Sequence, residues 1–348
     1  MSTPAEPSPT RRPSLFPVAL ALGVLGLAGV GAALIWMPGT RTMKAQSRMA
    51  KPVPAPIDGE RAYGYLKAIC AIGPRTAGSA ANTRQRMMVA EHFRKHGGAT
   101  REQPFQGTDP ISRKPVSMAN LIGSWYPERA ERVVIAAHYD TRPFPDEDRN
   151  PTKRQTPFLG ANDGASGVAL LMEIAHHLGT MPTPWGVDLV LFDGEELVYG
   201  GGRDQIGEYF LGAKEFARSY VEDPKRKVGG EEVVYAAGLV LDMVGDRNLQ
   251  VDKEPHSLEF APGLVRDVWA VARALNVKQF RDRTGPAVLD DHLALNNGGI
   301  PSIDIIDFDY PHWHTAQDVP ENCSGASLEQ VGKVVTGWLN QPKPRSPR

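Results

Sequence analysis

The stretch Val187–Glu196 reads VDLVLFDGEE, a largely apolar run that ends in two adjacent glutamates. The part from Val187 to Phe192 has the length and composition of a buried β-strand. Glu195 and Glu196 would then lie where that strand ends, and neighbouring carboxylates that lose their water repel each other. We therefore expect a cation, or a substrate that supplies a proton, close to this pair.

Other apolar segments of similar length flank this stretch. They predict strands at Val133–Ala137, Ala236–Val244 and Ser302–Ile306. Apolar residues at helical spacing predict amphipathic helices at Asn82–Lys95, Gly164–Leu178, Gly263–Leu275 and Gly325–Leu339. Short apolar strands that alternate with helices favour an α/β fold, with a mostly parallel central sheet covered by helices on both faces.

The N-terminal part of the chain has a different character. Residues 1–14 are rich in Pro, Ser and Thr and are predicted to be a disordered tail, whereas residues 15–37 carry no charge. The uncharged run is long enough to cross a membrane and lacks the small residues of a signal-peptide cleavage site. We expect a transmembrane anchor at 15–37, a linker at 38–56, a globular domain at 57–340 and a disordered tail at 341–348.

Composition argues against some classes of partner. The 348 residues include 39 basic and 40 acidic side chains and give a net charge of −1. Without a basic stripe to contact phosphates, nucleic acid is not an expected partner. The two cysteines, Cys70 and Cys323, lack the spacing of a zinc-thiolate site, and a single bridge between them stays open.

Polar residues follow several of the predicted strands. Because the carboxyl ends of parallel strands meet at one edge of a sheet, we expect these side chains to share a crevice. Histidine and carboxylate ligands without sulfur suit zinc. The candidates are His138, Asp140, Asp163, Glu195, Glu196, Asp242 and His314.

Seven short motifs occur in order along residues 57–339. They are PRTAGS at 74–79, AHYDT at 137–141, GANDGASG at 160–167, FDGEE at 192–196, LDMVG at 241–245, DDH at 290–292 and WHT at 313–315. Together they resemble the M28 family of zinc peptidases and, within it, the glutaminyl cyclase branch. The resemblance implies the α/β fold of zinc exopeptidases.

The resemblance also implies roles for individual residues. Asp163, Glu196 and His314 match the ligands of the catalytic zinc, and Glu195 matches the general acid/base. In members with two zinc ions, a second metal is held by the residues that match His138 and Asp242, with Asp163 as the bridge. One zinc ion or two are therefore both compatible with the motifs.

Asp290 and Asp242 match the acidic network that cyclases place beside the general base. The same pattern at Asp290 is also typical of a helix cap, for a helix that starts near His292. Trp313, with Tyr310 nearby, is predicted to line the substrate pocket, although a tryptophan at this place could equally be a core residue.

Three positions depart from the cyclase pattern. The tryptophan that cyclases carry a few residues after the paired acids is absent, and Tyr199 is the nearest aromatic residue. Ala137 stands before the first-motif histidine, in a region where animal cyclases have paired cysteines. Asp304 stands where a histidine is expected. These departures concern substrate recognition more than metal binding.

The implied activity is that of a zinc-dependent glutaminyl-peptide cyclotransferase, which converts an N-terminal glutamine to pyroglutamate and releases ammonia. The alternative is an M28 aminopeptidase, and a third interpretation is a receptor or scaffold that keeps the fold without catalysis. Peptide or protein N-termini would be the partners. Since related enzymes act mostly outside the cytoplasm, the anchor would hold the domain on the far side of a membrane.

Overall fold

Within the residues that the computed structural model describes, which are 51–200, 205–223 and 227–343, a six-stranded mixed sheet forms the centre of the fold. The strands are β1 Ala99–Thr108, β2 Pro115–Trp125, β3 Glu131–His138, β4 Gly186–Phe192, β5 Val198–Tyr199, β6 Ile206–Gly207, β7 Lys227–Val228, β8 Glu231–Glu232, β9 Val234–Asp242, β10 Val251–Lys253, β11 Phe280–Thr284 and β12 Ser302–Ile306. The α-helices are α1 Gly59–Cys70, α2 Ala80–Lys95, α3 Ala165–Leu178, α4 Leu211–Glu222, α5 Pro255–Phe260, α6 Pro262–Ala274, α7 Asp291–Asn297 and α8 Gly325–Leu339.

The strands of the central sheet follow the order β1-β2-β4-β3-β9-β12. The strands β4, β3, β9 and β12 are parallel, as predicted. The sheet as a whole is mixed, because β2 pairs antiparallel with both β4 and β1. Sequence patterning did not assign β1, since most of its side chains are exposed and it contains no apolar run.

Alternate residues of β3 face opposite sides of the sheet. Val133, Ile135 and Ala137 belong to a core formed with α1, α2, α3, α6 and α8. Val134 and Ala136 belong to a second core, formed with α4 and α7. Helices therefore cover both faces of the sheet, which confirms the predicted layering and explains why both sides of its central strands are apolar.

The two most apolar of the predicted helices agree closely with the structure. The helix α8 has the predicted bounds Gly325–Leu339, and α3 begins one residue after the predicted start at Gly164. A helix starting near His292 was predicted only as part of the alternative interpretation of Asp290 as a helix cap. The structure contains this helix, α7, which begins at Asp291 with Asp290 as its N-cap.

The predicted membrane anchor at 15–37 lies outside the described residues. No helix among the described residues is long and apolar enough to cross a membrane. The two cysteines are buried and free, so the open question of a bridge between Cys70 and Cys323 is answered in favour of separate thiols.

Candidate metal centre and active site

The predicted strand-end residues meet at one edge of the sheet. His138 is the last residue of β3 and Asp242 is the last residue of β9, while Glu195 and Glu196 come three and four residues after the end of β4. These three strands are neighbours in the sheet and run in the same direction. Their carboxyl ends therefore form the crevice where α/β proteins bind ligands.

Asp163, just before α3, lies between two histidines. Its Oδ2 is 3.3 Å from Nε2 of His314, and Nε2 of His314 is also 2.8 Å from Oε1 of Glu196. The Oδ1 of Asp163 is 3.1 Å from Nε2 of His138, which in turn is 3.3 Å from Oδ1 of Asp242. The structure thus brings together two possible ligand groups, Asp163–Glu196–His314 and His138–Asp163–Asp242, that share one carboxylate.

The charge of this site fits a divalent cation. Burial opposes protonation of His314, yet Glu196 and Asp163 raise its pKa to about 9. Burial also opposes protonation of His138, but Asp140, Asp163 and Asp242 raise its pKa well above the ordinary value. Positive charge is therefore stabilised at the two places where the ligand groups converge. A metal ion bound there would displace these protons.

An unsatisfied buried atom supports the same fit. Among the described residues, Oδ2 of Asp163 has no hydrogen-bond partner. Buried polar atoms are normally paired, and a site with orphaned atoms calls for an explanation such as an ion. Two carboxylates and one imidazole, as in Asp163, Glu196 and His314, form a donor set that suits zinc.

A single carboxylate orients the paired glutamates. Asp140 accepts hydrogen bonds from the backbone N–H groups of Glu195, at 3.1 Å, and of Glu196, at 3.0 Å. This contact fixes the turn after β4, so the two neighbouring side chains keep separate directions. Asp140 was a candidate on sequence grounds, but its role in holding the backbone of the pair was not predicted.

Asp318 holds Asp163 in a similar way. Its carboxylate accepts from the N–H groups of Asn162, at 2.8 Å, and Asp163, at 3.1 Å. Sequence reasoning missed Asp318, and the available signal was only its position four residues after His314. Tyr310 donates its hydroxyl proton to Asp318 over 2.9 Å and is buried. The hydroxyl of Tyr310 is thus committed to the support of Asp163.

Arg142 is a second residue that sequence reasoning missed. It is buried and donates its backbone N–H to Oε2 of Glu196 over 2.9 Å. Its guanidinium forms a two-bond ion pair with Asp146 and lies 3.5 Å from Oε1 of Glu196. The arginine therefore orients Glu196 towards His314. A lone arginine after a strand carries no distinctive pattern.

Two glycines of the GANDGASG segment allow α3 to approach the sheet. Gly164 has a φ of 92°, and a Cβ there would lie 2.8 Å from the carbonyl oxygen of Asp140 and 3.0 Å from Cε1 of His138. A Cβ on Gly167 would lie 2.3 Å from the carbonyl oxygen of Leu241. Any side chain at either position would push Asp163 away from the strand ends.

Glu195 differs from its neighbour in its surroundings. Burial raises its pKa well above the ordinary value; His138 works against this shift, and Glu196, Asp291 and Asp290 add to it. Within the described residues, the one cationic group found within 4 Å of its carboxylate is Nδ1 of His138, at 4.0 Å. Glu195 is therefore suited to hold a proton, and a bound cation would bring its pKa back towards neutrality.

Asp290 serves as the N-cap of α7, where its side chain accepts from the N–H of Asp291. The capping interpretation is therefore confirmed. Its other oxygen has no hydrogen-bond partner among the described residues, and it forms a buried group with His292 and Asp304. Burial and then Asp290 raise the pKa of Asp304 well above its usual range. Asp290 thus combines the cap with a place in an acidic network.

Trp313 stacks on the ring of His314, with centroids 3.9 Å apart, and is only half-buried. Its ring centroid lies 5.3 Å from that of Phe308, and it packs against a buried cluster of Met243, Val288, Ile306 and Tyr310. Its exposed part lies beside a candidate ligand, and the place of Trp313 in a pocket wall stays a prediction. Tyr199, the nearest aromatic residue after the paired acids, donates its hydroxyl proton to Asp109.

Residues 120–339 match the family described as Peptidase family M28. The chain belongs to this family. Among solved structures, the glutaminyl cyclase of Fimbriiglobus ruber is 38% identical to this M28 protein, with 84% of this chain and 99% of that chain covered and a TM-score of 0.79. A Zn-dependent exopeptidase from Parabacteroides distasonis is 32% identical, with 83% and 99% covered and a TM-score of 0.73.

The glutaminyl-peptide cyclotransferase of Bothrops jararaca is 26% identical to the M28 protein over 265 residues, which are 69% of each chain. These relatives confirm the resemblance and the fold of zinc exopeptidases that the motifs predicted. The family and the Zn-dependent neighbour together suggest zinc at the sheet edge of the M28 protein. The protein is an enzyme of this family.

Proposed function

We propose that the protein is a zinc-dependent glutaminyl-peptide cyclotransferase that acts on the N-terminal glutamine of peptides or proteins. The observation that carries the proposal is that the two adjacent glutamates have different surroundings. Glu196 lies 2.8 Å from the candidate ligand His314, whereas Glu195 is buried with a raised pKa. The similarity to glutaminyl cyclases supports the same activity.

Asp163, Glu196 and His314 would hold the zinc ion, with Asp163 held in place by Asp318 and Glu196 by Arg142 and Asp140. When bound, zinc would act as a Lewis acid that polarises the side-chain amide carbonyl of the substrate glutamine. The supporting residues are buried, so the ligands keep their orientation without further reorganisation.

The chemical step requires one proton to move. The α-amine nitrogen of the substrate forms a bond to the side-chain amide carbon, and the bond from that carbon to the amide nitrogen breaks. Glu195 accepts the proton that the α-amine loses and returns it to the departing nitrogen, which leaves as ammonia. Amine and amide belong to one residue, so orientation is the main requirement.

Asp290 and Asp242 would keep Glu195 able to hold this proton. Asp290 contributes to the raised pKa of Glu195. Burial raises the pKa of Asp242 to about 7, with His138 opposing and Asp163 and Asp290 adding to the shift. The half-buried ring of Trp313, stacked on His314, would form one wall of the pocket for the flat amide.

Release of ammonia tests the proposal. We expect the purified, zinc-loaded chain to release ammonia from peptides that begin with glutamine and to leave a pyroglutamyl product of matching mass. A peptide with the same sequence but an N-terminal leucine is the control and should remain intact. Cleavage of the leucine peptide without ammonia from the glutamine peptide would overturn the assignment.

An M28 aminopeptidase is the second candidate. The group His138–Asp163–Asp242 could hold a second ion next to the first, and a Zn-dependent exopeptidase is among the similar structures. Two ions about 3.5–4 Å apart are typical of metal-assisted hydrolysis. A ratio of two tightly bound zinc ions per chain after dialysis, together with hydrolysis of the first peptide bond, would favour this candidate.

We further propose that residues 15–37 anchor the enzyme in a membrane with its catalytic domain outside the cytoplasm. The uncharged run of residues supports the anchor. We expect a protease added to intact cells to digest the domain, with a cytoplasmic protein as the protected control. Protection of the domain in intact cells, with digestion only after lysis, would contradict the proposed orientation.

A further inference from the structure

Three histidine rings meet where two helices end. His92 lies in the last turn of α2, His96 is the C-cap of that helix, and His176 lies in the last turn of α3. One potential ligand atom of each residue lies within 4.8 Å of the others. The ring centroids of His96 and His176 are 3.8 Å apart, and those of His92 and His96 are 4.6 Å apart. We call this group the histidine trio.

The helices make this grouping a fixed feature of the fold. His92 and His96 are four residues apart and so lie on the same face of α2. The neighbouring Phe93 is buried and packs edge-on against Trp125, which holds this end of α2 in place. Tyr65 from α1 lies against the rings of His92 and His176, with centroids 5.0 Å and 5.9 Å away.

Hydrogen bonds orient two of the rings. Nε2 of His92 lies 2.8 Å from the carbonyl oxygen of Met172. Because a carbonyl can only accept, Nε2 carries the proton and Nδ1 keeps the lone pair that a metal needs. Metal-bound histidines typically donate their other ring N–H in this way. Nε2 of His176 is hydrogen-bonded to the hydroxyl of Tyr65, which fixes that ring as well.

The electrostatics of the site keep the three imidazoles neutral, so that their ring nitrogens have lone pairs for a metal. Burial lowers the pKa of His92 and His96, and burial with His96 and Arg61 lowers the pKa of His176 to about 4. The rings are therefore neutral at physiological pH. The carboxyl ends of α2 and α3 both face the trio and carry partial negative charge. Glu173 adds a nearby carboxylate, while Arg61 and Lys95 oppose it.

We infer that the histidine trio binds one divalent transition-metal ion, such as Zn²⁺, Ni²⁺ or Cu²⁺. Three imidazole nitrogens are a donor set for these ions and not for Mg²⁺ or Ca²⁺, which require oxygen. All three rings are half-buried, so an ion can enter from solvent. The ion would join α2 to α3 independently of the reaction at the sheet edge, and the folded chain would gain stability by binding it.

Counting bound metal tests this inference. The full chain is loaded with zinc, exposed to excess Ni²⁺, freed of unbound metal and analysed for total metal per chain. We expect the wild-type chain to hold one ion more than His96→Gln or His176→Gln, whose affinity for Ni²⁺ at this site should fall by at least about tenfold. The Tm of the wild-type chain should rise with Ni²⁺ concentration, and this rise should be lost in both variants.

The matched control is His256→Gln, which replaces a histidine of α5 outside the trio and should bind metal as the wild type does. Equal metal content in the wild type, His96→Gln and His176→Gln would place the added ion elsewhere, for example at His138 and Asp242, and would overturn the inference.

A second measurement does not depend on the folding of variants. Diethylpyrocarbonate modifies accessible imidazoles, and mass spectrometry can follow its reaction with His96 in the wild-type chain. We expect Ni²⁺ to protect His96 and His176 and to leave His256 reactive. Unchanged modification of His96 at saturating Ni²⁺ would likewise overturn the inference.

Discussion

Two buried glutamates, one on α3 and one at the sheet edge, occupy opposite electrostatic environments. Glu173, on α3, accepts from Nε and Nη2 of Arg61, both at 2.7 Å, and from the N–H of Asp58 at 2.9 Å. Among the described residues, Glu195 lies 4.0 Å from His138, and the carboxylates of Glu196, Asp291 and Asp290 are nearby. The pKa of Glu173 is lowered to about 2, whereas that of Glu195 is raised.

This difference in pKa distinguishes a glutamate that stabilises the fold from one that can take part in proton transfer. A carboxylate that is fully paired with cationic and N–H donors favours the folded state but cannot exchange a proton near neutral pH. A buried carboxylate without such donors costs stability and can carry a proton. Replacement by glutamine should therefore lower turnover at Glu195 and lower stability at Glu173.

The largest expected effect is on turnover in Glu195→Gln. An amide cannot accept the proton of the α-amine, so kcat should fall by about 10²–10⁴-fold. Zinc content should stay close to the wild type, because Glu195 is not assigned as a ligand, and Tm should not fall, because the variant removes a buried carboxylate without cationic or N–H donors. Steady-state kinetics and metal analysis check both points. Retention of full activity would remove Glu195 from the mechanism.

Gly164→Ala should disturb the metal centre itself. The new Cβ would clash with the carbonyl oxygen of Asp140 at 2.8 Å and displace Asp163. We expect zinc affinity to fall by about 10–100-fold, as seen when the orientation of a ligand is lost. Competition with a chelator measures this affinity.

Gly73→Ala is a matched control for that variant. Gly73 has the same φ of 92°, but a Cβ there would have no atom within 4 Å. It therefore carries the backbone strain without the clash, and its zinc affinity should match that of the wild type. Equal losses in both variants would attribute the effect to strain alone.

Glu173→Gln should lower stability and leave catalysis intact. The charged hydrogen bonds from Arg61 would be lost, at a cost of about 2 kcal/mol in the free energy of unfolding. Urea unfolding of both proteins at neutral pH measures this difference. A large loss of kcat with unchanged stability would reverse the comparison between Glu173 and Glu195.

The smallest expected effect is the pH dependence of the stability difference between the wild type and Glu173→Gln. Although burial opposes ionisation, His177 and Arg61 lower the pKa of Glu173 to about 2 in the folded state, from 4.5. The stability it contributes is present above about pH 4.5 and is lost as pH falls towards about 2. The gap between wild type and Glu173→Gln should therefore narrow in acid. A constant gap from pH 6 to pH 3 would contradict this origin.

The site residues that were predicted from the sequence have a recognisable local context. His138, Glu195 and Asp242 stand at or just after the ends of apolar strands, and Asp163 and His314 stand within short motifs. Strand ends are readable because burial of the strand fixes where the chain emerges. The parallel part of the sheet was predictable for the same reason.

Residues that act through distant contacts were not readable. Asp318 reaches Asn162 across 156 positions, and Glu173 reaches Arg61 across 112. Neither contact leaves a local pattern, because the pairing exists only after the chain has folded. The roles of the sheet-edge residues as ligands and catalysts remain predictions, which the variants above address.

The polar character of β1 has a consequence for how the molecules behave in solution. This strand lies at the end of the sheet order, beyond β2. Pro104 has no N–H to offer another strand, and charged side chains such as Glu102 stand beside it. These features disfavour the addition of a strand from a second copy at this end of the sheet. The polar character that hid β1 from sequence patterning thus also protects this end strand from pairing between molecules.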